Sequence, residues 1–352
     1  MKKKITNELS SSAKKSLVTR IITGVFLALV FVPAIILGGW YFFFFSVLLA
    51  LLASIEIVRA SNIRGLLRVL IYFVTITFTL GIIYYTMFQT NITEIKGLGS
   101  DAFKEPDFLP NTFHDIKLSI MLITLMLCVY FLISFATEPF HIAYVFYFVT
   151  MILVLAIGIQ SFLFLRYSPF HYFKESLTAE GQWPDSLIYS KNFKYVQSTF
   201  LFVYVILGVI FNDMGAYFIG LLFGKHKMNE RISPKKTWEG FIGGVVFSII
   251  VSTMFALICA LVGKPILPIF DIQHLYYVIV ISLLIPLISD VGDFVFSSVK
   301  RTFGVKDFSN LLPGHGGVLD RIDSLIFASA LVSCLIIFIN IMTGIGVDGL
   351  NF

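Results

Sequence analysis

The last third of this very apolar chain gathers acids and bases in a few places. Between Ser297 and Ser324 the stretch SSVKRTFGVKDFSNLLPGHGGVLDRIDS carries Lys300, Arg301, Lys306, Asp307, Asp320, Arg321 and Asp323, with His315 among them. Just upstream lie Asp290 and Asp293, and further upstream Asp213. At ~100° per residue, Asp290, Asp293, Ser297 and Lys300 fall within roughly 80° of one helical arc. They form one polar stripe, with Asp293 about 10 Å along the helix from Lys300. Asp320 and Asp323, spaced i, i+3, share a face at the start of the next helix. Aspartates from separate helices, with no cysteine and one nearby histidine, make an oxygen-rich donor set that suits Mg²⁺ rather than Zn²⁺. Lys300 and Arg301 offset part of the negative charge, and a divalent cation offsets more.

Each residue also has a plainer reading. Asp320 suits a helix N-terminus as a cap. Lys300 and Arg301 suit a helix C-terminus. Asp213 sits deep in its apolar segment, where an acid is functional by default or pairs with a base. His315 is open between metal ligand, phosphate donor and loop hydrogen bond. Gly314, Gly316 and Gly317 serve a tight turn after Pro313, or let backbone N–H groups approach an anion. Gly220–Lys225 lacks P-loop spacing and the following Ser/Thr. Gly240 and Gly244 form a GxxxG pattern that favours close helix packing over a binding site.

The elements that hold these residues are membrane spans. The chain has 352 residues, of which 57% are hydrophobic and 13% charged. About 20 apolar residues cross the ~30 Å hydrocarbon core. Nine such runs are expected, near 18–38, 40–58, 68–89, 118–136, 141–166, 196–223, 240–262, 275–297 and 323–345. The first is too long for a signal-peptide core, and a second follows at once. The fold class is therefore all-α, a polytopic integral membrane protein. Cys128, Cys259 and Cys334 are isolated within spans and form no metal or disulfide pattern. An Asp near a span centre costs ~2.5–3.5 kcal/mol on insertion scales, so the acidic cluster needs cations, water or a function to compensate it.

Lys and Arg favour cytoplasmic loops. With the N-terminus inside, 18 of the 26 basic residues fall on the inner side. That orientation places Ser297–Ser324 in the cytoplasm. The basic excess thus explains topology and is no argument for nucleic-acid binding. Three regions follow: a cytoplasmic basic tail (1–17), an N-terminal membrane region with two outside loops near 90–117 and 167–195 (18–195), and a C-terminal catalytic membrane region (196–352). Glu56 and Glu138 lie near span ends. The small-residue seams permit a homodimer.

The quoted stretch resembles the phosphatidate cytidylyltransferase (CDP-diacylglycerol synthase) family almost throughout. The pattern runs through Ser298-x-Lys300-Arg301, Lys306-Asp307, Leu312-Pro-Gly-His-Gly-Gly317 and Asp320-Arg321-x-Asp323. The upstream segments SPKKTWEGFIGG and NDMGAYFIGLLFGK are similar to the family as well. The likeness covers about Phe211 to Ser329. It implies an integral enzyme of the bacterial inner membrane, facing the cytoplasm. Such an enzyme condenses CTP with phosphatidate, a membrane lipid, into CDP-diacylglycerol and pyrophosphate. It also implies a metal centre at the acids matching Asp293, Asp320 and Asp323, using Mg²⁺, with K⁺ beside it in some members.

That chemistry needs no activated side-chain nucleophile. A phosphate monoester has its second pKa near ~6 and is mostly a dianion at neutral pH. The obstacle is repulsion, ~4 kcal/mol per like-charge pair at ~4 Å and an effective dielectric of ~20. Metal ions and bases must cancel it. Asp293, Asp320 and Asp323 are the expected metal ligands. Lys300, Arg301, Lys306 and Arg321 are expected to meet phosphates. Ser233, Lys235 and Lys236 are expected to gather the nucleotide. Ser297, Asp307, His315, Gly316 and Gly317 complete the expected substrate set, with Asp213 and Asp290 as further candidates. Two rivals remain at this point: a CTP-dependent polyprenol-type lipid kinase, and an ion-coupled transporter. Transporters usually show paired, interrupted spans in two halves, whereas these polar groups lie in the C-terminal half alone.

Overall fold

Apolar helices dominate because hydrocarbon offers the backbone no hydrogen-bond partners, so each span must satisfy its own N–H and C=O groups. The computed structural model describes residues 11–84, 116–179, 193–229, 231–262, 266 and 275–343. Only the backbone is described for 11–17, 116–118, 167–179, 193–198 and 339–343. Most of the basic tail, nearly all of the first expected outside loop (90–115) and the central part of the second (180–192) lie outside the described residues.

Nine described helices are long and apolar enough to cross a membrane. They are α1 (Ser11–Leu37), α2 (Gly39–Ala60), α3 (Gly65–Tyr84), α4 (Ile116–Ala136), α5 (Ile142–Ala179), α6 (Phe193–Phe223), α7 (Trp238–Leu261), α8 (Leu275–Thr302) and α9 (Leu319–Thr343). The protein is an all-α polytopic membrane protein. The nine expected runs match these helices with shifted ends. The helix of the eighth run continues to Thr302, so Lys300 and Arg301 belong to its last turn. That of the ninth begins at Leu319, so Asp320 stands in its first turn. α5 continues to Ala179 and α6 begins at Phe193, so both ends of the second expected loop are helical.

One element has no hydrophobic signature. An antiparallel hairpin, β1 (Lys227–Asn229) and β2 (Ser233–Thr237), joins α6 to α7. The Asn229 side-chain oxygen closes its turn by accepting from the N–H groups of Arg231 and Ile232, both at 3.1 Å. Thr237 then caps α7, its Oγ1 accepting from Gly240 N–H at 3.2 Å.

α2, α5 and α9 are the most enclosed spans, and α1 and α4 the most peripheral. Buried hydroxyls tie helices together where side chains meet inside the apolar bundle. Thr75 pairs with Tyr130 at 2.7 Å, Ser46 with Tyr84 at 2.8 Å and Ser282 with Tyr204 at 2.7 Å. Arg166 is fully buried at the end of its span, where Nε donates to the Ile35 carbonyl at 3.0 Å.

The tightest helix pair is α6 with α7, and glycine makes it so. A Cβ built on Gly215 would lie 3.0 Å from Gly244 Cα. One on Gly244 would lie 2.7 Å from both the carbonyl and the side-chain oxygen of Asn212. The GxxxG pattern at Gly240 and Gly244 is thus a packing seam. Gly244→Ala is expected to lower the thermal midpoint in detergent, because overpacking costs about 1–3 kcal/mol. Gly81→Ala, where an added Cβ meets nothing within 4 Å, is the control expected to melt no lower than wild type.

Candidate functional site

The seam fixes Asn212, and Asn212 begins the polar cluster. Its Nδ2 donates to Asp290 Oδ2 at 3.0 Å. Asp290 is buried on α8, and its Oδ1 pairs with Lys236 Nζ at 2.6 Å. The same ammonium lies 2.8 Å from Asp293 Oδ2, one helical turn along. Ser297 Oγ donates to Asp293 Oδ1 at 3.3 Å. Asp290, Asp293, Ser297 and Lys300 thus share one face of α8. Asp290, Ser297 and Lys300 are buried and Asp293 is half-buried.

Lys236 reaches this face through the hairpin. Strand side chains alternate, so one of two consecutive lysines must point inward. Lys235 is exposed and Lys236 is half-buried. The Lys236 ammonium also sits 4.7 Å from the Phe294 ring centre. Glu239 anchors the hairpin's base by accepting from Lys225 N–H at 3.1 Å and pairing with His226 Nδ1 at 2.6 Å. Arg301 ties its tip to the end of α8 through Nε to the Ile232 carbonyl at 3.4 Å. Burial pulls the Lys236 ammonium's pKa down, but the carboxylates of Asp293 and Asp290 outweigh burial and the net shift is upward. It therefore stays charged beyond the ordinary lysine range.

The second half of the cluster is built at the start of α9. Lys300 Nζ pairs with Asp320 Oδ1 at 2.8 Å, with both side chains no more than 10% exposed. Asp320 Oδ2 accepts from Phe308 N–H at 3.0 Å and Gly317 N–H at 2.9 Å. One carboxylate thus closes the loop that separates α8 from α9. The PGHGG turn folds onto itself. Gly316 N–H donates to the Leu312 carbonyl at 3.1 Å, and Leu312 N–H donates back to Gly316 at 2.9 Å. Gly314 and Gly316 have φ of 74° and 85°, which glycine adopts without a Cβ penalty. The N–H groups of Gly316 and Gly317 therefore already have partners, the Leu312 carbonyl and Asp320 Oδ2.

Asp323 lies one turn beyond Asp320, buried, with Asp293, Lys300 and Asp320 within electrostatic reach. α8 and α9 touch here: a Cβ on Gly292 would stand 3.0 Å from the Asp323 carbonyl. Asp213, on α6, is in electrostatic reach of Lys236, Asp293, Asp290 and Arg321. The structure therefore draws Asp213, Lys236, Asp290, Asp293, Lys300, Asp320 and Asp323 toward one place. Lys235, Arg301, Lys306, Asp307 and Arg321 stand exposed around it. Arg321 donates through Nε and Nη2 to the His315 carbonyl at 2.9 and 2.5 Å. Ser233 is half-buried on β2. His315 is half-buried, and its Nδ1 is enclosed without a hydrogen-bond partner. Among the described residues, no three Asp, Glu, His or Cys side chains form a ready-made metal cage.

Sequence spacing did not find two contributors. Asn212, beside Asp213, holds Asp290. Glu56, on α2, takes the N–H groups that open α9. An acid at the end of an apolar run was the only available signal for Glu56, and its partners are about 260 residues away.

Comparison with known proteins gives the family of the chain. The family described as "Cytidylyltransferase family" matches residues 18–339. The phosphatidate cytidylyltransferase of Staphylococcus haemolyticus is 41% identical over 138 residues, which is 38% of this chain and 48% of that protein. That of Bacillus subtilis is 41% identical over 129 residues, 37% of this chain and 44% of the relative. That of Haemophilus influenzae is 42% identical over 142 residues, 40% and 46% of the two chains. The matched stretch spans about half the length of these relatives. With the family pattern running through all nine apolar helices, from residue 18 to residue 339, this chain belongs to the cytidylyltransferase family.

Proposed function

We propose that the protein joins CTP to phosphatidate at the cytoplasmic face of a bacterial inner membrane, releasing pyrophosphate. The observation that carries this reading is the carboxylate and ammonium cluster formed by α6, the β1–β2 hairpin, α8 and the start of α9, built on an apolar bundle. Its charge pattern suits two phosphate groups meeting at head-group depth. The excess of Lys and Arg on the same side supports the cytoplasmic orientation. The likeness to named phosphatidate cytidylyltransferases supports the substrates.

In this reading a phosphatidate oxygen attacks the α-phosphorus of CTP. A P–O bond forms there as the bond to the β-phosphate breaks. No side-chain nucleophile is needed, because the lipid phosphate is already largely deprotonated near neutral pH. The protein's task is to hold two anions together. Exposed Lys235, Lys306, Arg301 and Arg321 draw the nucleotide and the head group in. Lys236 and Lys300 hold fixed positive charge beside the acids. Asp290 and Asn212 keep Lys236 in place, and Asp320 keeps Lys300 in place.

The donor set fits magnesium. All the candidate donors are carboxylate oxygens, and Asp213, Asp290, Asp293, Asp320 and Asp323 outnumber the Lys236 and Lys300 ammonium groups. Both Asp320 oxygens already accept strong hydrogen bonds, so Asp320 serves the fold first. Asp293 and Asp323 are then the holding pair. Two carboxylates with phosphate oxygens are an ordinary magnesium environment. Bound there, the ion would neutralise charge on the nucleotide phosphates.

The test uses purified full-length protein, phosphatidate, Mg²⁺ and CTP labelled at the α position. Label in the lipid product is the expected result. Label remaining on CDP would indicate a lipid kinase instead. Solute uptake by reconstituted vesicles without CTP would indicate a transporter.

A further inference from the structure

The start of α9 lacks a cap of its own. The residue before Leu319 is Val318, which has no side-chain oxygen to accept the first N–H groups, and valine ranks far below Ser, Thr, Asp and Asn at this position. The missing acceptor comes from α2. Glu56 is 2% exposed, and its Oε1 accepts from Val318 N–H at 2.8 Å and Ser309 Oγ at 2.6 Å. Its Oε2 accepts from Leu319 N–H at 2.7 Å. A Cβ on Gly317 would lie 2.6 Å from Oε2, so a larger residue there would have to displace the carboxylate from its three donors. A negative charge at a helix N-terminus is favourable in itself.

The consequence reaches the cluster. Asp320 and Asp323 are the second and fifth residues of α9, so the contact that fixes Leu319 also fixes their depth and rotation. α9 meets α8 at the same level, where Gly292 adjoins the Asp323 carbonyl. Resting on the proposed reaction, we infer that Glu56 is a positioning residue: it caps α9 from α2 and thereby sets where Asp323 stands opposite Asp293. The N-terminal spans are then part of the active arrangement, although the charged cluster itself lies on α6, the hairpin, α8 and α9.

Full-length Glu56→Ala and Glu56→Gln proteins in detergent test this. Glutamine keeps one acceptor oxygen, for Ser309 and Val318, but turns an N–H group toward Leu319. Two readouts are needed. Hydrogen exchange at the Val318 and Leu319 amides is expected to speed up in Glu56→Ala, with a smaller change confined to Leu319 in Glu56→Gln. Turnover is expected to fall by about 10–100-fold in Glu56→Ala, the range for groups that orient metal ligands. The Mg²⁺ concentration for half-maximal rate should rise while KM for CTP stays nearly constant, and Glu56→Gln should fall between wild type and Glu56→Ala.

A residue that merely holds the fold would give a different picture. It would lower the thermal midpoint and the folded yield, yet leave KM and the Mg²⁺ requirement per folded enzyme unaltered; that outcome overturns the inference. So does unchanged exchange at Val318 and Leu319. Should Glu56→Ala not fold, Glu56→Gln decides alone, and wild-type turnover and Mg²⁺ dependence in it would overturn the inference. If wild-type protein transfers no label to lipid, the proposed reaction fails, while the amide exchange still decides whether Glu56 holds α9.

Discussion

Asp293→Asn is expected to lower turnover by about 10²–10³-fold, the scale for losing a main electrostatic contact to the reacting charge, while the protein still folds and inserts. The two halves of that expectation have separate causes. Asparagine preserves the side chain's shape and one acceptor oxygen, so Ser297 keeps its partner. Lys236 keeps Asp290 at 2.6 Å, so its ammonium is not left alone. Asp293 is also the more open of the two, with its side chain 31% exposed against 7% for Asp290, so the fold depends on it less. What disappears is one negative charge beside Asp323, where the proposed ion would bind. The check is turnover at saturating CTP across a Mg²⁺ titration, with a thermal midpoint measured alongside. Near-normal activity would remove Asp293 from the cation site.

Asp320→Ala has the opposite profile and the largest expected effect on stability. The carboxylate accepts from Lys300 Nζ, Phe308 N–H and Gly317 N–H. Alanine leaves a lysine ammonium with a 10% exposed side chain without its partner. Losing one member of a buried ion pair costs about 3–5 kcal/mol, and the two stranded N–H groups add to it. The measurement is folded yield and thermal midpoint in detergent. Removing both charges, with Lys300→Met and Asp320→Asn together, should recover much of the midpoint, because no lone ammonium then remains. The double variant should nevertheless be inactive, because it lacks the Lys300 charge beside the acids. A single Asp320→Ala protein that melts like wild type would show that this carboxylate is not the keystone of the α8–α9 loop.

In sequence, the family resemblance gives both aspartates the same expected role, that of metal ligand. Their local patterns were sound. Asp293 does share a face of α8 with Asp290, Ser297 and Lys300, since a helix fixes angular position by spacing alone. Lys236 was expected to gather nucleotide beside Lys235, yet the strand's alternation sends the two to opposite sides, and the inward one pairs with acids 54 and 57 positions further on. No hydrophobic pattern announces a short exposed hairpin, so the element that delivers Lys236 was not legible.

The sequence by itself determined the nine apolar crossings, the side of the bundle where charge collects, and the family, through residues adjacent in the chain. Transfer from water to hydrocarbon acts on each segment separately, so hydropathy suffices for the first. Only the tertiary structure decided which charged groups meet: Asn212 with Asp290, Lys236 with Asp293, Glu56 with the start of α9. Those pairings depend on how closely helices approach, as at the Gly215–Gly244 contact. That distance is set by side-chain volumes on two segments at once, which no spacing within either one contains.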